Sequence, residues 1–379
     1  MQPVRRWPWI AGAFAVVTLT AVLAQQEAPE DGASREAGGI DLAAALGEAP
    51  AEGFARPAQH WRLALPRDHG AHPGTRSETW TLSASLRSGA GEALGLQTTL
   101  LRVGLRPPDA EPPPSDWTPR AIWRGHVVIL PPGATAATGE ERINRAALGL
   151  AGHDPAERQV WLDGWSLGYG AGAEGEALTL SVSAGETRLD LRLAPAKPPV
   201  AAEGGGGPVN GFALTRLSAE GTLTTPDGET PVSGTAWLDR LWGEVPLPTG
   251  PVAWDRLQLQ LDDDTELSIL RTRRRDGRGA PTLDAFVVEA DGESRALDGA
   301  AVQMEPVRHW QGGGASGRYP VGWRVRAGAL DLTVEPVADD QVHDFLLPLW
   351  SGAVRAEGRR DGTPVTGRGT LQLTGYEPR

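Results

Sequence analysis

Asp68-His69, with His72 close behind, is the tightest grouping of proton-carrying or metal-binding side chains in the sequence. Two imidazoles and a carboxylate suffice to begin a metal site, but in a loop such groups more often hydrogen-bond at the surface, and no metal is expected. Asp262-Asp263-Asp264 with Glu266 has the charge for calcium and lacks the spacing, since calcium loops spread their ligands over about 12 residues; a hairpin turn accounts for the same residues. Gly168-Tyr169-Gly170-Ala171-Gly172-Ala173 matches a relaxed dinucleotide pattern. No helical pattern follows it, so there is no helix N-terminus to meet a phosphate. A phosphate loop and a His-Glu-x-x-His helix do not occur, and the chain has 0 cysteines. That excludes thiolate catalysis, Cys-ligated zinc, iron–sulfur clusters and disulfides, and no cofactor is expected.

The tryptophans are more informative: 14, against 3 Tyr and 5 Phe. Trp237, Trp242, Trp254, Trp310, Trp323 and Trp350 run through the second half. Each carries a large apolar area and one N–H that needs an acceptor. They serve either to fill a core and plug a barrel end or to line a cavity for a long apolar ligand.

Strands must position these residues. Gly 49 and Pro 32 in 379 residues argue against a helical bundle and for short strands joined by tight turns. Leu189, Leu191 and Leu193 alternate with polar residues, as do Leu257, Leu259 and Leu261, which flank Gln258 and Gln260, and Leu330, Leu332 and Val334. Period-two alternation buries one face and wets the other, the antiparallel pattern. Asp227-Gly228, Asp276-Gly277, Asp291-Gly292 and Asp361-Gly362 are hairpin-type turn pairs. A weak helix is expected near Glu140–Leu148 and a short one at Ile40–Leu46. Pro195, Pro198 and Pro199 followed by Gly204–Gly207 read as a linker, dividing the body into all-β halves at 58–200 and 206–379, each large enough for a barrel.

At the N-terminus, Arg5-Arg6 precede the uncharged run Trp7–Ala24, which ends in small residues. Residues 1–24 are expected to be a signal peptide or an uncleaved anchor, and 25–57 a flexible lead-in. Either way the body lies outside the cytoplasm, periplasmic or secreted, or held at the inner membrane by residues 7–24. A net charge of −12 without a basic patch makes nucleic acid a poor partner.

An ordered series of segments resembles a known family. It includes His72-Pro73 with Arg76, Glu78 and Trp80; Gly95 to Arg102; Leu214-Thr215-Arg216-Leu217; and Gly234 to Arg240. It continues with Trp254-Asp255, Leu257 to Asp263, Arg318-Tyr319-Pro320, Trp323, Asp340-Gln341, and Gly367 through Tyr376. The chain is similar over about 59–379 to the AttH-type, carotenoid 1,2-hydratase (hydroxyneurosporene synthase)-like lipocalin family, also described as predicted secreted hydrolases. The resemblance implies two tandem lipocalin-like β-barrels.

Departures bear on chemistry. Where the family pattern carries Glu-Trp-Trp-Tyr, this chain has Glu78-Thr79-Trp80-Thr81; Leu241 and Val342 replace glutamates, Ser351 stands in Leu349-Trp350-Ser351-Gly352, and Thr370 and Gln372 replace a Tyr and a Glu. Adding water to an alkene needs a strong proton donor, a base-held water and aromatic faces for the cation. By resemblance Asp239 is the candidate acid and Glu78 or His72 the water-orienting group. Trp80, Trp237 and Trp242 are the expected aromatic wall, with Trp254, Arg102 and Arg216 also among the ligand-binding residues. The competing reading pairs Asp239 and Glu78 with arginines, because an unpaired buried charge is costly. With several carboxylates lost, the expectation is an exported protein that binds an apolar or amphipathic lipid or isoprenoid inside a barrel. The family also suggests service beside an ABC-transporter permease. A hydratase or hydrolase is the alternative.

Overall fold

The structure, a computed structural model, describes residues 52–376 apart from 59, 112–118, 147, 172–176, 202–206, 246–251 and 313–316. The expected signal or anchor, most of the lead-in, the Ile40–Leu46 helix and Gly204–Gly206 lie outside the described residues. Among those described there are 22 strands and no α-helix, and no helix long and apolar enough to cross a membrane.

The first sheet contains β1 (Ser77–Ser88), β2 (Ala93–Gly104), β3 (Ala121–Leu130), β4 (Thr138–Arg145), β5 (Ala151–Asp154), β6 (Gln159–Leu162), β7 (Trp165–Ala171), β8 (Ala177–Ala184), β9 (Thr187–Pro195), β10 (Val200–Ala201), β11 (Val209–Thr225) and β12 (Gly228–Gly243). The second contains β13 (Val252–Leu261), β14 (Glu266–Arg274), β15 (Thr282–Val288), β16 (Ser294–Leu297), β17 (Val302–Trp310), β18 (Tyr319–Ala327), β19 (Leu330–Pro336), β20 (Val342–His343), β21 (Leu349–Arg360) and β22 (Thr363–Thr374). Their orders, β4-β3-β2-β1-β12-β11-β9-β8-β7-β6-β5 and β16-β15-β14-β13-β22-β21-β19-β18-β17, repeat one plan. Short β10 and β20 attach to the equivalent strands β11 and β21. Each antiparallel sheet curls into a barrel; in the first, β3 and β4 come round to β6 and β8.

The alternating leucines are buried as the period-two pattern requires, Leu189, Leu191 and Leu193 in the first barrel and Leu257, Leu259, Leu261, Leu330 and Leu332 in the second. All four Asp-Gly pairs join consecutive strands, and Asp361 and Gly362 both adopt positive φ (47° and 80°), the conformation a two-residue hairpin needs.

Three expectations are corrected. The Pro/Gly segment does not separate the sheets: β11 ladders onto β9 and β12 onto β1, so the first barrel runs on to Gly243 and the boundary falls at 244–251. Pro and Gly loosen a loop within a barrel as readily as a linker between barrels. Residues 196–201 run along the sheet, with Ala196 N donating to Arg216 O at 2.9 Å and β10 pairing β11. The Glu140–Leu148 helix is instead edge strand β4, laddered onto β3. Finally, Gln258 and Gln260 face the other barrel and not water. Gln258 Nε2 donates to Asp239 (2.8 Å), and Gln260 Nε2 to the carbonyls of Thr215 (2.7 Å) and Ala236 (3.0 Å).

The barrels therefore pack outer face to outer face along a seam. Gly95 lies at a close approach in it, where an added Cβ would lie 2.6 Å from Ala353 Cβ. Lys197 and Arg216, from the first barrel, converge on the buried carboxylate of Glu266 in the second; Lys197 Nζ also donates to Glu289 O (2.8 Å).

Candidate functional site

Two places collect the sequence's candidate residues. The first is an end of the first barrel, closed by the turn Arg67–His69 and the segment after it. Even-numbered residues of β1 point inward, which brings Glu78 beside Trp80 and opposite Arg102 on β2. Glu78 is fully buried. Its Oε1 accepts from Arg102 Nε, and its Oε2 accepts from Arg240 Nη2 and from His72 N (2.8 Å). Burial alone would raise this carboxyl, but Arg102 and Arg240 outweigh it and hold it far below the ordinary range. Arg240 lies over Trp80 (3.8 Å to the ring centroid) and donates to Gly70 O at 2.6 Å. Trp80 Nε1 in turn donates to His69 O (2.8 Å). His72 stacks on Trp242 (4.1 Å, 1°), with Nε2 3.5 Å from Asp68 Oδ1. Burial disfavours the Asp68 anion too, yet hydrogen bonds from His72, Arg67 and Ala64 N hold it down at about 2. Glu78, Asp68, His72, Trp80, Trp242 and Arg102 thus form one network around Arg240. A permanently ionised Glu78 has no proton to give and both of its oxygens are occupied.

Asp239 is elsewhere. It precedes the inward-facing Arg240, so strand alternation turns it out into the seam. There it accepts from Arg256 Nη2 (2.6 Å), Gln258 Nε2 (2.8 Å) and Trp237 Nε1 (3.1 Å). Trp237 packs with Val200, Ala213, Phe286 and Val288 in a small core shared by both barrels. Arg216 is held by Glu266, with Asp264 at 3.2 Å. The second barrel has its own counterpart of Glu78. Asp255 on β13 stands opposite Arg271 on β14, as Glu78 stands opposite Arg102. It also faces Arg273 (3.3 Å) and accepts from Tyr376 OH (3.0 Å).

The second place is a cavity of about 200 Å³ between the barrels. One wall is the outer face of β1–β3, with Thr79, Thr81, Leu101, Arg124 and His126; the other is the outer face of β13–β15, with Trp254, Arg256, Leu270, Asp284 and Phe286. Inside the first barrel, the gap beside Trp80 and Trp165 measures about 10 Å³. Of the sequence candidates, Trp254 alone lines the seam cavity.

The exposed lining is mostly apolar, set with hydroxyl and amide side chains and with Arg124, His126, Arg256 and Asp284. Arg124 pairs with Glu141 (2.5 Å) and Arg256 with Asp239 (2.6 Å). Asp284 Oδ2 is buried with no hydrogen-bond partner in the protein, and burial pushes this carboxyl up to about 6. His126 is kept neutral: burial, then Arg124 and His343, push its imidazole well below the usual range. Sequence reasoning missed both. For His126 a signal exists, because Trp123, Val127 and Ile129 mark the inner face of β3 and so place Arg124 and His126 outside. Asp284, in a short strand without clear alternation, offers none. Among the described residues no group of three or more His, Asp or Glu could hold a metal ion.

The profile of the AttH-like family matches residues 56–376. A crystal structure of an AttH protein from Nitrosomonas europaea is similar at 28% identity and a TM-score of 0.75, covering 86% of this chain and 100% of that one. Kievitone hydratase from Nectria haematococca shares the fold at 16% identity and a TM-score of 0.60, covering 85% of this chain and 98% of that one. A search among curated proteins finds no match.

Proposed function

This chain belongs to the AttH-like family, and on that footing we propose that it binds an apolar or amphipathic small molecule in the cavity between its two barrels. The observation that carries the reading is the cavity itself, a mostly apolar space of about 200 Å³ walled by both sheets. It is smaller than the ~300–1,000 Å³ that encloses a drug-sized molecule, so the ligand is small or reaches out of the opening. Burying ~200 Å² of ligand surface at ~25 cal/mol per Å² contributes about 5 kcal/mol, enough for sub-millimolar binding before polar contacts. Export belongs to the same proposal and rests on Arg5-Arg6 and the apolar run behind them.

To test it, protein purified without detergent is examined by native mass spectrometry before and after exposure to an isoprenoid and lipid extract. Retained ligand in wild type, lost in a Leu270→Trp variant that fills the cavity, supports the proposal. Retention unchanged by Leu270→Trp overturns it. Empty protein that cross-links to a permease in cells favours the accessory role that the family resemblance suggests.

A hydratase is the second reading, favoured by Asp284. A carboxyl still partly protonated near pH 6, in an apolar cavity, is the proton donor that water addition requires. On this reading an isoprenoid with a terminal double bond gains the mass of one water with wild type and not with Asp284→Asn.

A further inference from the structure

Two buried hydrogen-bond acceptors on opposite walls of the seam cavity have no donor in the protein. Gln97 Nε2 donates to Thr99 Oγ1 (3.0 Å), which turns Gln97 Oε1 toward His126 Nε2 at 2.9 Å. The imidazole proton therefore sits on Nε2, and Nδ1 carries only a lone pair. That Nδ1 is buried and unpartnered. His126 itself is 6% exposed and held by ring stacking on Phe345 (centroids 5.4 Å apart), so it does not swing out to find water. Across the cavity, Asp284 Oδ2 is in the same condition. Burial is the influence that moves Asp284; of the two guanidiniums in the wall, Arg256 is paired with Asp239 and Arg124 with Glu141, Arg124 keeping a buried Nε that has no hydrogen-bond partner.

A buried acceptor left without a donor costs about 1–3 kcal/mol, a penalty that a ligand donor removes on binding. We propose that the molecule taken up in the seam cavity is an apolar compound bearing a hydroxyl group, which donates to Asp284 or His126 from within the cavity. A fatty carboxylate or an ether brings only acceptors and so leaves Asp284 Oδ2 and His126 Nδ1 without a donor. This inference rests on the ligand-binding reading and specifies the class of ligand.

The test compares three probes of one length, 1-octanol, 1-methoxyheptane and octanoate, by isothermal titration against the full chain. One net hydrogen bond corresponds to roughly fivefold in affinity. Wild type should bind 1-octanol at least about fivefold more tightly than either of the others. Asp284→Leu and His126→Phe should each reduce that preference. Asp284→Asn, which keeps an acceptor oxygen, should retain the preference; loss in Asn equal to that in Leu overturns the acceptor role. Thermal melts confirm that each variant is folded, and Asp284→Leu removes an unpaired polar group, so it folds at least as well as wild type. Equal binding of alcohol and ether by wild type overturns the inference and leaves the ligand-binding reading standing. Preferential binding of octanoate overturns it by assigning recognition to an arginine. If none of the probes binds wild type, both fall.

Discussion

Glu78→Gln is the substitution that most directly interrogates the end of the first barrel. It keeps the shape of the side chain and deletes the anion between two buried guanidiniums. Arg240 is completely buried and Arg102 nearly so; their remaining contacts are backbone carbonyls, aromatic faces and, for Arg240, His72 Nδ1 (3.2 Å) and the more distant charge of Asp68. Removing one partner of a buried ion pair costs about 3–5 kcal/mol, because the survivor cannot regain its hydration. With two survivors the upper end applies, equivalent to roughly 8–15 °C in the melting temperature of a unit this size. Differential scanning calorimetry and urea unfolding at pH 7 measure the difference. Because Glu78 is held below its unfolded value, its contribution is fully present above about pH 4.5 and is lost as pH falls through the depressed folded value. The gap between wild type and variant must therefore be the same at pH 7 and pH 5. It must also survive ~1 M salt, which screens exposed charges and not buried ones. A loss under ~1 kcal/mol, or a gap that salt erases, refutes the sealed network and means the guanidiniums reach water. Adding Arg102→Met and Arg240→Met to the variant should recover most of the loss.

Other outcomes follow from the seam and the buried imidazoles. Gly95→Leu places side-chain atoms where Ala353 already sits and should lower urea stability by about 1–3 kcal/mol, with partial recovery in the Gly95→Leu/Ala353→Gly pair. His69 and His343 are each pushed down to about 4, chiefly by burial. Their unfolded forms take up protons near pH 6.5, so stability should fall between pH 6.5 and 4, by on the order of 3 kcal/mol for each histidine. His343→Phe should flatten that acid limb in a pH series of thermal melts, and an unchanged slope contradicts the assignment.

The inner faces of both barrels were legible because period-two alternation reports directly which residues leave water: Leu189, Leu257 and Leu330 fall where the pattern puts them. The turns were legible because Asp-Gly pairs supply a backbone conformation few other pairs tolerate. The outer face was not. Gln258, Gln260 and Asp239 are polar, and a polar residue bonded across a seam looks in sequence like one bonded to solvent. For the same reason the candidates Asp239 and Glu78 looked like members of one site; three positions along β12, Asp239, Arg240 and Leu241, alternate between seam and interior, and only the pairing register assigns them. The Pro/Gly segment misled because composition reports local softness and says nothing of which strands meet beyond it. The cavity was invisible, since its walls come from strands nearly 200 residues apart.

Lys197 carries the only ε-amine in the sequence, and it is locked against Glu266 with a side chain 6% exposed. Acylating reagents meet a shielded nitrogen, already engaged by Glu266 and the Glu289 carbonyl, while the barrels stay together. Once they part, the same nitrogen becomes the chain's single reactive side-chain amine. The stoichiometry of labelling at that one position thus counts the fraction of molecules whose halves have come apart, without any engineered reporter.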